Sequence, residues 1–338
     1  MSDPTAKTLA PWIARQADLL LAQRGHAWLL QGPSGLGQYE LAQTLVQSWL
    51  CEQPRDGRLA CGHCASCHAI RVRTHADLAV LMPETQMLEL GWPLSEKAQS
   101  EIDEKKRKPS KEIRVEAMRD LVEFAQRTDA RGRGKAVLVF PAERMNAITA
   151  NALLKTLEEP PGHVRFVLAT EAAHQLLPTI RSRCLSHTLS WPDPGEALAW
   201  LEGQGVDTTQ APDWLRHAGG RPDDVLRQAG LGLTPAWWAG LPKAMQQGQA
   251  AHWADVPPAQ AIDALQKLCH DLLLVHSGAQ PRFFEPTQLP ACSASLKTLT
   301  DWFRRLTQSA RTAEHPFNAG LMLEALTADA QQTLLARS

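Results

Sequence analysis

The sequence predicts a parallel α/β domain followed by an all-helical remainder. Three observations carry that reading. As far as Trp191, short strand-like runs alternate with helical stretches, the pattern of a parallel sheet with helical crossovers. One run, "HAWLLQ", leads straight into the glycine-rich turn "GPSGLG" and then into the helical "YELAQTLVQSWL". Beyond Trp191-Pro192 the strand pattern stops, and apolar residues recur at helical spacing.

Taken in order, residues 7–24 predict a helix, with Leu9, Trp12, Ile13, Leu20 and Leu21 on its apolar face. Strand 26–31, the glycine turn and helix 39–50 follow. Further strands are expected at Leu78–Met82, Ala136–Phe140, Val164–Thr170 and Leu185–Leu189. Helices are expected at Ile113–Gln126, Ile148–Leu157 and, more briefly, Gln175–Ser182. Between Met82 and Ile113 the pattern lapses. "SEKAQSEIDEKKRKPSKE" is charged and broken by Pro109, which predicts a solvated loop. Lys105–Lys108 is the part of it that could touch DNA. Residues 193–230 predict three short helices with "HAGGRPDD" as a turn, and the chain from Thr234 reads as helical, punctuated by prolines at 257–258, 281, 286 and 290. The expected domains are 1–190, 191–232 and 233–338.

A chain of 338 residues suffices for two or three domains. Its net charge of −1 gives no global positive field for nucleic acid, so any such contact would be local. "HAWLL" and "AVLVF" fall far short of the ~20 apolar residues of a membrane helix. "MSDPTAKTLAPW" lacks the apolar stretch of a signal peptide. A cytoplasmic protein with reduced thiols is expected. Eleven Trp against one Tyr suggest no function.

Four of the seven Cys form a C-x9-C-x2-C-x2-C cluster: Cys51, Cys61, Cys64 and Cys67. Four thiolates suit a tetrahedral zinc ion, and Gly62, Ala65 and Ser66 are small enough to let the backbone wrap around it. A closed four-thiolate shell leaves no position for water, so the role would be structural. His63 and His68 are substitute ligands. Free thiols and an iron–sulfur cluster are the alternatives.

Gly32, Gly35 and Gly37 outline a phosphate-binding loop of the form G-x-x-x-x-G-K-[ST], but Gln38 and Tyr39 stand where Lys and Ser or Thr belong. A second loss lies in "KAVLVFPAERMN". Pro141 and Ala142 occupy the strand end where a magnesium-binding Asp and a catalytic Glu are expected, and Glu143 is off register. With the cation and both metal ligands gone, hydrolysis at this site is not expected.

"NALLKTLEEPP", an apolar strand and then "TIRSRC" together resemble the clamp-loader family of AAA+ proteins. With the cysteine module after the loop, the resemblance is to the gamma and delta-prime subunits of bacterial DNA polymerase III. An intact Ser182-Arg183-Cys184 beside a ruined loop selects the delta-prime branch. The resemblance is strong over about 10–190 and rests mainly on helical layout beyond 232. It implies an AAA+ core with the zinc module in 1–190, a small helical lid in 191–232 and a helical collar for assembly in 233–338. Arg183 would be an arginine finger reaching the ATP site of an adjacent subunit; Arg181 is the neighbour the motif disfavours, and Cys184 a packing residue. The implied partners are gamma/tau and delta subunits, the sliding clamp and, through the complex, primed DNA, with no membrane partner. Nucleotide-binding relatives carry a sensing Arg after a glycine pair; Asp223 takes that place, with Arg221 nearby. Segment 86–111 reads as an insertion. In "AIDALQKLCHDLLLVH", Ile262, Leu265, Leu268, Cys269, Leu272 and Leu273 form either an assembly face or an internal core.

Two other functions compete. An active gamma-type ATPase would need Lys at position 38 and Ser or Thr at 39. A zinc-dependent DNA-binding module would need a basic surface, for which Arg55, Arg58, Arg71 and Arg73 are only a moderate cluster.

Overall fold

The computed structural model describes residues 9–55, 58–207, 209–313 and 318–336. It divides into two units, 1–192 and 193–338.

The first unit is built on a five-stranded sheet of β1 (Ala27–Gln31), β2 (Leu78–Leu81), β3 (Lys135–Val139), β4 (Val164–Thr170) and β5 (Leu185–Thr188). The spatial order is β2-β3-β4-β1-β5, and every pair is parallel. Ala27 pairs with Phe166 on one side of β1, and Trp28 with Leu185 on the other. Strands with neighbours on both sides are covered on both faces, so β3 is buried throughout and β4 everywhere but Arg165. Since all strands run one way, one edge of the sheet collects every strand end and the opposite edge every strand start.

Among the described residues this unit also holds eight helices. They are α1 (Pro11–Leu21), α2 (Gln38–Leu50), α3 (Ala65–Arg71), α4 (Glu84–Glu89), α5 (Glu96–Asp103), α6 (Val115–Gln126), α7 (Ala147–Glu158) and α8 (Pro178–Arg181). Met118, Leu121, Leu153 and Leu157 join Val137, Phe166 and Leu168 in the core of this unit. The helix expected over 7–24 starts with Pro11 in its first turn, a position where a missing N–H costs nothing. Residues 7 and 8, and most of the segment read for a signal peptide, lie outside the described residues. The helix expected at Gln175–Ser182 is shorter, because Pro178 holds Leu177 extended (ψ 134°) and only a 3-10 turn, Ala173–Gln175, precedes it.

The solvated loop expected between Met82 and Ile113 is instead ordered as α4 and α5. Glu84, 7% exposed, organises it. Its carboxylate accepts from Arg107 Nη2 at 2.8 Å and from the Ser110 N–H at 2.8 Å, and Arg107 also reaches Glu101 at 2.7 Å. Burial alone would push Glu84 up, but Arg107, Ser110 and Arg114 take it below the usual carboxylate range.

The second unit is helical. Helices α9 (Pro194–Gly203), α10 (Ala211–His217) and α11 (Pro222–Gly230) close around Leu201, Trp214 and Val225. Helices α12 (Pro235–Gln246), α13 (Pro258–His276), α14 (Leu296–Thr312) and α15 (Ala319–Leu334) enclose a second cluster containing Trp238, Trp253 and Trp302. Those tryptophans are core residues, as are Trp12, Trp28 and Trp49 in the first unit. Ile262, Leu265, Leu268, Cys269 and Leu272 are buried in the same cluster, and Leu273 packs against it. That face of α13 is therefore internal core. Among the described residues no helix is long and apolar enough to cross a membrane.

Candidate metal centre and phosphate loop

Helix α2 has a candidate site at each end. Its N-terminus follows β1 through the glycine turn, on the edge that collects the strand ends. Gly35 (φ 81°) and Gly37 (φ 92°) are left-handed, and Gly37 is the N-cap, so a side chain at either would strain the turn. This leaves a helix N-terminus suited to an anion. The side chains oppose it. Gln38 is 2% exposed, and its Nε2 donates to the carbonyls of Gly32 and Pro33, both at 2.7 Å. A lysine here would extend to phosphate; the amide instead folds back onto the loop. The Tyr39 hydroxyl accepts from Trp92 Nε1 at 2.7 Å, and its ring packs against Phe140 with centroids 5.3 Å apart. Burial raises the Tyr39 pKa, keeping the phenol neutral. Trp92 is held in turn by Arg73, whose guanidinium lies 5.5 Å from the ring centroid and donates to the carbonyls of Leu90 and Gly91. At the end of β3, Pro141 and Ala142 offer no ligand. Glu143 accepts from the Thr170 hydroxyl at 2.6 Å and the Glu171 N–H at 3.1 Å, tying this turn to the end of β4.

At the other end, Cys51 caps α2, Cys61 follows a surface excursion, and Cys64 and Cys67 begin α3. All four are buried, and their sulfurs lie within 4.8 Å of one another. Three of the sulfur–sulfur separations are 3.6 Å (Cys51–Cys61), 3.8 Å (Cys51–Cys64) and 3.9 Å (Cys61–Cys67). Four sulfurs about 2.3 Å from one tetrahedral ion stand roughly 3.8 Å apart, so the donor set fits a single ion. A disulfide needs about 2.05 Å; the four are free thiols. The N–H groups of Cys61, Cys64 and Cys67 point at the sulfurs of Cys51, Cys61 and Cys64 at 3.3, 3.3 and 3.5 Å. Burial is the largest influence on Cys64 and pushes it up, yet backbone N–H groups and the neighbouring thiols bring it down to about 6. His63 and His68 are exposed and outside the four-sulfur group; His63 Nδ1 lies 3.1 Å from the Cys61 carbonyl. Arg55 donates to that same carbonyl at 2.9 Å, and Arg71 to the carbonyl of Gly62. With Arg73 engaged as above, three of the four arginines in the expected basic cluster hold local backbone.

Arg183 lies in the turn between α8 and β5. Since Leu185 starts β5 parallel to β1, Arg183 stands at the strand-start edge, opposite this chain's own phosphate loop. It is partly exposed and pairs with Glu158 at the end of α7, while Nη1 donates to the Thr179 carbonyl at 2.9 Å. Arg181 is exposed. Cys184 is buried, which pushes its thiol up to about 12 and makes it a packing residue. In the second unit, Asp223 sits in the first turn of α11, and Arg221 pairs with the buried Asp224 at 2.7 Å. Sequence patterns do not reveal the roles of Trp92, Phe140 and Glu158, whose contacts lie far along the chain, nor that the Gln38 amide turns back onto the loop.

A family model described as "DNA polymerase III, delta subunit" matches residues 16–192, more than half of the chain. Over 214 residues the chain is 36% identical to a DNA polymerase III subunit delta' of Pseudomonas aeruginosa, covering 63% of this chain and 58% of that one. Over 225 residues it is 36% identical to the subunit delta' of Escherichia coli K12, covering 64% and 59%. It is 35% identical over 184 residues to a subunit tau of Salmonella typhimurium, covering 54% of this chain and 24% of that one. The match thus spans less than two thirds of the length of these relatives. The chain belongs to the DNA polymerase III delta-subunit family and is similar within it to the delta-prime members.

Proposed function

We propose that this chain is a non-hydrolysing clamp-loader subunit that helps place a sliding clamp on primed DNA. The observation that carries the reading is the state of the phosphate loop. Gln38 is bonded to the loop's own carbonyls, and Tyr39, Phe140 and Trp92 pack together where phosphate cation and magnesium ligands would be needed. The proposed role is structural and in trans. Cys51, Cys61, Cys64 and Cys67 would hold zinc, which would fasten the 51–67 excursion to α2. Arg183 would stabilise charge on the transferring phosphate of a neighbouring gamma/tau-type subunit. Its place at the edge opposite the chain's own loop supports that direction of action. Residues 191–232 and 233–338 would serve as lid and collar, joining this chain to gamma/tau and delta subunits in the cytoplasm. An active gamma-type ATPase is disfavoured by Gln38 and Tyr39, and a zinc-dependent DNA module by the engagement of Arg55, Arg71 and Arg73.

The test is turnover by the purified chain and by a complex reconstituted with gamma/tau and delta subunits. The chain alone should release no phosphate from ATP above background. The complex should hydrolyse ATP in a clamp- and DNA-stimulated manner. Turnover by the chain alone would reject the reading.

A further inference from the structure

The strand-start edge of the sheet carries a second feature that the proposed function does not use. Near the starts of β1, β3 and β4 lies an open cleft of about 440 Å³, lined by His26, Trp49, Arg133, Pro160, His163 and Arg165 together with glycine backbone. Among the described residues no carboxylate lines it. The loops that shape it are firmly held. Asp77 accepts the N–H groups of Ala130 at 2.7 Å and Arg131 at 3.1 Å, and Asp129 accepts that of Gly134 at 3.2 Å. Gly134 (φ 75°) runs so close to the next loop that a Cβ there would lie 2.3 Å from the His163 carbonyl oxygen. The Lys135 N–H donates to that oxygen at 3.0 Å. His26 Nε2 meets the Leu157 carbonyl at 2.9 Å.

Two guanidiniums stand on this frame. Arg165 is the second residue of β4, opposite Ala136, and Arg133 precedes β3 by two residues. Arg165 lies over the Trp49 ring at 5.8 Å. Neither arginine has an acidic partner among the described residues, whereas nearby Arg131 pairs with Glu52 at 2.8 Å. Burial lowers the Arg165 pKa, and the facing charge of Arg133 lowers it further. A rigid frame that holds two like charges together without a counter-charge is relieved by an anion.

We propose that this cleft binds phosphate groups through Arg133 and Arg165. Two planar guanidiniums suit the bidentate geometry of a phosphate, and the volume lies in the range of ligand pockets. The phosphate comes either from a free polyphosphate or from a nucleic-acid backbone. The site is separate from the phosphate loop, which opens on the opposite edge.

The test uses the full chain, its Arg133→Gln and Arg165→Gln variants and the double variant, with thermal midpoint and metal content confirming intact folding. Calorimetric titration with pyrophosphate should give sub-millimolar binding, weakened tenfold or more by each single change. If the source is nucleic acid, a primed duplex followed by anisotropy should instead bind with tenfold lower affinity in the variants. The slope of log affinity against log salt should then fall by about one per arginine removed. Binding of either ligand that survives in the double variant, or binding of neither to the unaltered chain, overturns the proposal.

Discussion

The two ends of α2 differ in kind. At its C-terminus, Cys51 joins three more buried thiols at separations that suit one ion. At its N-terminus the left-handed glycines and the helix end persist, but the side chains that should face a ligand are bonded to the protein itself. Backbone geometry survives where it also shapes the fold. At the cysteine end the side chains converge on one point that suits an ion, whereas at the loop end they are spent on packing and on hydrogen bonds within the protein.

Several experiments can break or sharpen that contrast. The largest expected effect is at the cysteine end. Protein purified without chelator should carry near one equivalent of zinc, and Cys64→Ser should bring this close to none, since structural zinc is held by about 10 kcal/mol or more. Elemental analysis reads the metal, and limited proteolysis across 51–67 should show a newly cleavable excursion. A full equivalent in the variant would remove Cys64 from the site.

Next comes Arg183. In the reconstituted complex, Arg183→Ala should slow hydrolysis at the one affected neighbouring site by up to ~10³-fold, and Arg183→Lys should rescue poorly because an ammonium lacks the planar fork. Steady-state turnover checks both, with assembly monitored by gel filtration. Wild-type rates in the Ala variant would leave Arg183 as the partner of Glu158 and no more.

Gln38→Lys combined with Tyr39→Thr should not restore ATP turnover, because Pro141 and Ala142 supply no metal ligand. It should cost about 3 kcal/mol of stability through the lost Tyr39 packing, read as a lower denaturant midpoint. Recovered turnover would mean that the strand end is not needed.

The smallest effect concerns acid. His217 is 1% exposed and stacked on Trp238 at 5.3 Å; burial lowers its pKa to about 4. The folded state therefore prefers neutral His217, while the unfolded chain takes up a proton near pH 6.5. Its contribution is intact above pH 6.5 and is lost as pH falls to about 4, by at most about 3 kcal/mol. His217→Phe should flatten the stability of the second unit over that window. Metal release from the first unit should be unaltered, which separates the two acid responses.

Strand β4 was legible to the residue, because Val164–Thr170 is apolar but for Arg165 and the terminal Thr170, and is flanked by Pro160, Pro161 and Gly162 on one side and a polar turn on the other. The cysteine cluster was legible because its ligands sit close in sequence. The order in 84–112 was not. It depends on Arg107 meeting Glu84 across 23 positions and on Arg73 reaching Leu90 and Gly91, while charged composition argues for solvation. The pairing of Arg183 with Glu158, 25 positions apart, was hidden for the same reason. The folding back of Gln38 is a choice of side-chain conformation, which a pattern of residue types does not specify.

If the phosphate loop is silent, as proposed, the contact between Tyr39 and Trp92 makes that silence self-locking. A loop that has merely lost its lysine could regain it by one substitution at little cost. Here the phenol anchors a whole excursion of the chain through Trp92 and Arg73. Any step back toward a small hydroxyl removes that anchor before the missing carboxylate has returned. On the proposed reading the intermediate sequence would be less stable and no more active, so change at this loop would run in one direction, like a ratchet.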